Sequence, residues 1–228
     1  QQCFPLDVFF CEGCAHVQLL DVIDPAVLFS DYIYTSGTSP VFVQHFQSYA
    51  ADLVDEFSLT PGTLAVDIGS NDGTFLRFLK EARLVVLGID PARDIARKAT
   101  KAGIETLPAF FTKESARELC TARGEAGLIS ANNVFAHIDD LAGVVDAVRT
   151  WLAPAGIFVF EVSYLADVYQ RTLFDTIYHE HLDYHAVKPL VPFFQRAGME
   201  LISARRVPTH GGSIRCVVQH SGGPRTVD

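Results

Sequence analysis

The sequence lacks several features that define common protein classes. Basic residues are few: 18 Lys and Arg against 27 Asp and Glu give a net charge of −9, which disfavours a broad nucleic-acid-binding face. No apolar run reaches the roughly 18 residues that a membrane span needs. GxGxxG and HExxH are both missing, and with them the usual marks of NAD binding and of zincin-type zinc sites. We therefore expect neither a nucleic acid nor a membrane as partner.

Cysteine is also scarce and unevenly placed. Cys3, Cys11 and Cys14 lie close to the start, whereas Cys120 and Cys216 are isolated. An odd number of cysteines with one CxxC is not typical of a secreted disulfide framework. The first residues also lack the basic cluster and the cleavage site of a signal peptide. We therefore expect a cytoplasmic protein.

The apolar pattern predicts an α/β fold. Hydrophobic residues make up 49% of the 228 residues, which is enough for a sizeable core. From Leu64 onward, strand-like runs such as LAVDIG, LVVLGID and GIFVFEVS alternate with helical stretches such as TFLRFLKEA and VPFFQRAG. This alternation predicts a parallel, right-handed α/β sheet. We expect an N-terminal segment (1–40), one main domain (41–220) and a C-terminal tail (221–228).

A glycine loop joins the first strand of this pattern to the following helix. In DIGSNDG, Gly69 and Gly73 allow a ligand to approach the backbone, and Asp67 favours a cationic or hydroxyl-bearing ligand over a pyrophosphate. Asp90 ends the next strand, about 20 residues on, where an acid can hold two ribose hydroxyls. A plain βαβ turn would explain the loop alone, but loop and acid together predict a nucleoside cofactor. The candidate cofactor-binding residues here are Asp67, Gly69, Ser70, Asn71, Gly73, Asp90 and Pro91.

The stretch SANNVFAHIDD adds candidates from a neighbouring strand. Asn132 and Asn133 stand where that strand ends, and ligands of α/β sheets lie outside the carboxyl ends of the strands. We expect one or both of them near the cofactor. His137 follows closely, either as a site residue or as a core histidine.

The stretch FDTIYHEHLDY (174–184) concentrates ionisable side chains. His179 and His181 would diverge on a strand or a helix, which disfavours a metal site. One reading is structural, with buried tyrosine and histidine satisfying each other. The other is proton transfer: a histidine removes a proton, Glu180 stabilises its charged form, and Tyr178 donates to a developing oxyanion.

These motifs together resemble a known family. DIGSNDG resembles the first motif of class I S-adenosylmethionine (SAM)-dependent methyltransferases, in which the loop lines the amino-acid end of the cofactor. YIYTSG, GSNDG, GIDPA, ANNVFAHI, FDTIYHEH and HGGSIR stand in the order and spacing of the methyltransferases that add a C-methyl branch to nucleotide-linked keto-deoxysugars in antibiotic pathways. The resemblance implies a class I Rossmann-like sheet with a small Cys-containing N-terminal segment. It also implies SAM as cofactor and a nucleotide-linked keto-sugar as small-molecule substrate.

The resemblance also implies a mechanism. A base removes the proton from the carbon next to the C-4 ketone, and the enolate attacks the methyl group of SAM. By position, His181 is the base, and Tyr34 competes with Tyr32 for the role of closing over the sugar. The family shares the segment HGGS (210–213), which implies a substrate-side role, with a plain hairpin turn as the alternative. From its position at a strand end, Arg215 is expected to be a surface charge. The catalytic candidates are His181, Tyr178, Glu180, Tyr32 and His137.

Two alternatives stay open. The first is an O- or N-methyltransferase acting on a sugar or a small natural product. The second is a cofactor-binding module that needs a partner chain.

The sequence departs from this family at two places. Family members carry two CxxC pairs that bind zinc, whereas only Cys11 and Cys14 match here, as the second pair. Structural zinc needs four ligands, and Cys3 and His16 are not at the family's positions. We therefore expect a partial zinc site, with a redox pair as the alternative. Family members also continue into a second α/β domain after HGGS, and this sequence ends at Asp228.

Overall fold

The computed structural model describes residues 3–30, 32 and 34–227. The first elements along the chain are β1 (Val8–Phe10), β2 (Val17–Leu19), α1 (Pro25–Phe29), α2 (Pro40–Glu56), β3 (Leu64–Ile68), α3 (Thr74–Glu81), β4 (Val85–Ile89), α4 (Arg93–Lys101) and β5 (Thr106–Leu107). The later elements are α5 (Lys113–Arg123), β6 (Ala126–Asn132), α6 (Leu141–Trp151), β7 (Leu152–Ser163), α7 (Leu165–Gln170), β8 (Asp183–Tyr184), α8 (Val187–Arg196), β9 (Met199–Val207) and β10 (Ser213–His220).

A seven-stranded sheet forms the centre, in the order β5-β4-β3-β6-β7-β10-β9. The five strands from β5 to β7 are parallel, so the carboxyl ends of β3, β4 and β6 meet at one edge. In that register Asp67 of β3 lies beside Gly88 of β4 and Ser130 of β6. The chain therefore has the predicted α/β class, and the glycine loop leaves the sheet at the edge where ligands bind such folds.

The prediction of a wholly parallel sheet is wrong at the other edge. Strand β10 runs antiparallel to both β7 and β9. The cause is the short connection 208–212 between β9 and β10, because a parallel pair needs a crossover of a dozen or more residues. The chain therefore turns back as a hairpin and brings HGGS to the end of β7, where Tyr164 N donates to Gly212 O at 3.1 Å.

Helices cover both faces of the sheet. Phe46, Tyr49 and Leu53 of α2 pack with α3 on one face, and Trp151 of α6 and Phe194 of α8 pack with α5 on the other. All five side chains are buried, and each such burial stabilises the fold by about 1.5–3 kcal/mol. None of the helices in the described ranges has both the length and the apolar character to cross a bilayer.

The N-terminal segment forms a second, small sheet with the main domain. Strand β2 pairs antiparallel with β1 on one side and with β8 on the other. Strand β8 directly follows the YHEH run, so residues from the expected segment 1–40 pack against the expected domain 41–220. The strand predicted in FPLDVFF is present as β1 and leads into Cys11. The elements that the sequence did not predict are β2, α1, β5, α5, α7 and β8.

Candidate active site

A large cavity opens at the carboxyl edge of the parallel strands. Its volume is about 1280 Å³, above the roughly 300–1,000 Å³ of typical small-molecule sites, so it has room for two ligands. We call one part the glycine-loop half, which is lined by Asp67, Gly69, Ser70, Asn71, Asp90, Pro91, Asn132 and Asn133. We call the other the histidine half, which is lined by Tyr32, Tyr34, His137, Tyr178, His181 and His210.

The two loop glycines have different tasks. Gly69 lines the cavity at a φ of +66°, and a Cβ there would overlap the side chain of Val134. Its N–H and that of Ser70 donate to Ile89 O at 2.7 and 3.3 Å, which ties the loop to β4. Gly73 is absent from the cavity lining. It caps α3 in the left-handed conformation, so its role is to turn the chain into the helix.

The carboxylate of Asp90 is held rigidly at the end of β4. Its Oδ2 accepts from Asn71 N and its Oδ1 from Ala92 N, both at 2.8 Å. Burial raises the pKa of Asp90, and the two amide hydrogen bonds lower it. Each oxygen keeps a further lone pair, so this carboxylate can accept from the hydroxyls of a ribose.

The side chain of Asn71 also connects the glycine loop to residues near the histidine half. Its Oδ1 accepts from Ser36 N at 3.0 Å, and its Nδ2 donates to Tyr34 O at 2.9 Å. These bonds hold Tyr34 and Ser36 against the glycine loop. Asn71 therefore lines the cavity while its side chain joins the two halves.

Asp67 is a buried acid whose charge is unfavourable. Ser130 Oγ donates to its Oδ1 at 2.7 Å and Asn132 Nδ2 at 3.3 Å. Burial still raises the pKa of Asp67 to about 7, and the charge of Asp90 adds to the rise. A cationic group of a ligand would compensate this carboxylate.

The glycine-loop half has unused hydrogen-bonding capacity. Within the described part of the chain, Ser70 Oγ and Asn132 Oδ1 are buried without a partner, and such atoms normally have one. Phe110 and Phe111 line the same half and offer apolar walls to a planar base. Sequence reasoning missed both, because they follow β5, which was itself missed. The polar groups and the apolar walls of the glycine-loop half together fit a nucleoside cofactor that carries an amino-acid group.

In the histidine half, the hydrogen bonds of His181 define its tautomer. Its Nδ1 lies 2.7 Å from Thr176 O. A carbonyl oxygen only accepts, so Nδ1 carries the hydrogen and Nε2 has a free lone pair. Tyr178 Oη lies 3.1 Å from Nε2 and donates to it. Burial lowers the pKa of His181, nearby His210 lowers it further, and the Thr176 bond raises it; the ring is a neutral base.

His137 is a cavity residue packed between two rings. It stacks on Phe29 at 5.4 Å and on His181 at 5.1 Å between ring centroids. Burial lowers its pKa to about 3, and His181 adds to the effect. His137 is therefore neutral at physiological pH. Phe29 carried no sequence signal, because its contact depends on how α1 packs against the main domain.

Tyr32 and Glu180 form the second pair of this half. Burial raises the pKa of Tyr32 to about 12, and the charge of Glu180 together with a hydrogen bond between the two adds to the rise. Burial also raises the pKa of Glu180, and the bond from Tyr32 lowers it. Glu180 is absent from the cavity lining and reaches the site through Tyr32.

A buried charge cluster lies behind His210. Glu161 of β7 is fully buried; its Oε2 lies 2.6 Å from His45 Nε2, and its Oε1 accepts from Arg215 Nε at 2.7 Å. The prediction that Arg215 is a surface charge is therefore wrong. Burial lowers the pKa of His210, and Glu161 raises it. His45 and Glu161 were missed because their pairing joins α2 to β7.

The Cys11–Cys14 pair forms a tight exposed turn. Cys11 N donates to His16 O and Ala15 N to Cys11 O, both at 2.8 Å. Hydrogen bonds from Cys14, then from Gly13, lower the pKa of Cys11. His16 instead pairs with Asp183 at 2.6 Å. Over residues 3–30, 32 and 34–227, no three His, Cys, Asp or Glu side chains are grouped to hold a metal, so the partial zinc site is not completed there.

Comparison with known proteins agrees with this geometry. A model described as a methyltransferase domain matches residues 42–204. The chain belongs to the methyltransferase-domain family. The C-methyltransferase NovU of Streptomyces niveus is 39% identical over 211 residues, covering 92% of this chain and 50% of NovU. The chain thus spans about half the length of that curated relative. The resemblance to C-methyltransferases inferred from the motifs is confirmed.

Solved structures share the fold of this methyltransferase domain. Magnesium protoporphyrin IX methyltransferase from Synechocystis PCC 6803, with bound SAH, superposes with a TM-score of 0.64 at 14% identity, covering 86% of this chain and 99% of that one. A SAM-dependent methyltransferase from Mesorhizobium loti gives 0.58 at 16% identity, covering 76% and 100%. At these identities the likeness concerns the fold. The predicted class I fold is confirmed, and the SAM-dependent methyltransferase class is confirmed at the level of the family.

Proposed function

We propose that this chain uses SAM to methylate the carbon next to the ketone of a nucleotide-linked 4-keto-deoxysugar, in the tailoring of antibiotic sugars. The hydrogen bonding of His181 carries the proposal, because Nε2 is left as an unprotonated base inside the cavity. The name of NovU and the motif resemblance support a carbon acceptor. A zinc ion at Cys11 and Cys14, a cytoplasmic location and the domain boundaries stay predictions.

The proposed mechanism assigns each group a task. His181 Nε2 removes the proton beside the ketone, and the bond from Nδ1 to Thr176 O favours the resulting imidazolium. Glu180 acts on the site through Tyr32. When the substrate enters, the hydroxyl of Tyr178 turns from Nε2 to the ketone oxygen, which frees the Nε2 lone pair for the proton and places a donor at the oxygen that becomes the enolate. Burial raises the pKa of Tyr178, which keeps it a donor. Bound SAM supplies an electrophilic methyl group. Asp90 would hold its ribose, and Asp67 and Asn132 its amino-acid end.

The test is His181→Asn in an isotope-exchange assay. Asparagine keeps a donor near Thr176 O and removes the base. With a nucleotide-linked 4-keto-deoxyhexose in heavy water, the unsubstituted protein exchanges the C–H next to the ketone without methyl donor. We expect the variant to lose about 100-fold or more of this exchange while S-adenosylhomocysteine (SAH) affinity changes less than about twofold.

The controls separate the alternatives. His220→Asn changes a histidine that bonds Leu152 O outside the cavity, and it should leave exchange intact. Because burial lowers the pKa of His181, the acid limb of the rate should lie below pH 6.5. Full exchange by His181→Asn would show that another group is the base. Methyl transfer without exchange would indicate an O- or N-methyltransferase, and SAH binding without turnover a module that needs a partner.

A further inference from the structure

His179 stands inside the YHEH run but outside the cavity. Its Nε2 lies 3.0 Å from Pro5 O and 3.3 Å from Phe4 O. Both oxygens only accept, so Nε2 carries the hydrogen and shares it between them. The ring also meets Phe4 edge-on at 6.2 Å. The side chain thus points to the N-terminal segment, while the side chains of Tyr178 and His181 point into the cavity.

The loop 177–182 that carries these groups has no regular secondary structure. Two backbone hydrogen bonds attach the loop at its far end. Leu182 N donates to Ala136 O, and Leu182 O accepts from Leu19 N, both at 2.8 Å. At its near end, Ile177 N bonds Phe174 O at 3.0 Å. Between these attachments, the bonds of His179 fix the loop to the N-terminal segment.

The same segment supplies other parts of the histidine half. Phe29 stacks on His137, and Tyr32 lies close enough to Glu180 for each to shift the pKa of the other. Phe29 and Tyr32 therefore lie against the two neighbours of His181, which are His137 and Glu180. Displacing the loop from this segment would change the burial of His181 and its distance to Tyr178 together.

We propose that His179 is a positioning residue: its shared hydrogen bond to Phe4 and Pro5 fastens the loop to the N-terminal segment, which thereby sets the geometry of His181, Tyr178 and Glu180. The catalytic importance of this positioning rests on the proposed function. The geometric claim concerns the loop itself, and a measurement without substrate tests it.

The experiment is a titration of the His181 ring by NMR, with its Cε1 signal assigned by its loss in His181→Asn. The groups facing the ring are His137 from the turn after β6, Tyr178 from the loop and His210 from the turn before β10. In His179→Ala the loop loosens and water reaches the ring. We expect the pKa of His181 to rise towards its ordinary value by about half a unit or more, with SAH affinity changed less than about twofold.

Two further variants distinguish anchoring from general damage. His179→Gln places an amide N–H near the position of Nε2 and should restore the titration, whereas His179→Asn is one methylene shorter and should behave like alanine. His220→Ala removes an equivalent bond, Nε2 to Leu152 O at 3.0 Å, and should leave His181 unchanged. If His179→Ala does not fold, the comparison of His179→Gln with His179→Asn tests the proposal.

An unchanged titration in His179→Ala and His179→Asn would overturn the proposal, and so would an equal shift in His220→Ala. These results need no turnover. Failure of the proposed function would appear separately, as isotope exchange that survives His181→Asn.

Discussion

The raised pKa of Asp67 predicts an unusual dependence of stability on pH. Burial raises that pKa from 3.8 to about 7, so the folded protein holds a proton that the unfolded chain releases between these values. The contribution to stability is fully present below about pH 4 and is lost as the pH rises through about 7. The slope in this window is about 1.4 kcal/mol per pH unit.

The perturbation is Asp67→Asn, which removes the titrating group and keeps its size. Relative to the unsubstituted protein, the free energy of unfolding of the variant should increase by about 2.5 kcal/mol between pH 5 and pH 8. A change in the hydrogen bonds with Ser130 and Asn132 alters the difference in unfolding free energy by the same amount at every pH. It does not alter how that difference depends on pH. The other buried histidines and acids titrate in both proteins and largely cancel.

The assay is urea unfolding of both proteins across this pH range, with equal m-values as the check on two-state comparison. Asp94→Asn is the control, since this carboxylate of α4 is exposed and pairs with Arg97 at the surface. The difference in unfolding free energy between Asp94→Asn and the unsubstituted protein should not change with pH in this way. A difference for Asp67→Asn that stays within about 0.5 kcal/mol from pH 5 to pH 8 would refute the reasoning, because the buried carboxyl would then not be protonated in the folded state.

Two further predictions concern SAH binding, measured by calorimetry. Asp90→Ala should weaken SAH binding at least tenfold, since a hydrogen bond to a charged group contributes about 1.5–3 kcal/mol. The control variant Asp94→Ala should have no effect. An unchanged Kd for Asp90→Ala would exclude the ribose role. Gly69→Ala should weaken it by about tenfold, because the Cβ overlaps Val134 at a φ of +66°. Gly62→Ala isolates the backbone effect, since its φ is +88° with no atom within 4 Å, and equal losses in both would contradict this account.

The glycine-loop half could be predicted because its information is local. A strand, a loop with Gly69, a helix and an acid at the end of the next strand follow one another in sequence, and a parallel βαβ unit brings them together without further choice. Even here the sequence assigned Asn71 to the cofactor, whereas its side chain bonds Tyr34 and Ser36. That contact crosses from the N-terminal segment to the main domain, and the pattern of neither segment reveals it.

The histidine half could be predicted in residue type but not in geometry. The YHEH run indicated proton transfer, with a structural cluster as the alternative, and the sequence could not show which nitrogen of His181 carries the hydrogen. Thr176 O defines that tautomer. Thr176 contributes through its backbone, which residue identity does not encode. The contacts of Phe29 with His137 and of His179 with Pro5 depend on how residues 3–30 pack against the domain. In the sheet, the strands of the β9–β10 pair were predicted, and only the length of their connection shows that they run antiparallel.

The two stacked histidines of the cavity are not equivalent as bases. Burial lowers the pKa of His137 to about 3, and no hydrogen bond like that from His181 to Thr176 O offsets it among the bonds found for the described residues. Under the proposed function, a proton taken by His181 would not pass to His137, because His137 is the weaker base. On the same proposal, the proton would stay at His181, and the negative charge would stay on the acceptor beside Tyr178. Within the proposed function, His137 therefore serves as a neutral stacked wall of the cavity, and His181 is the base.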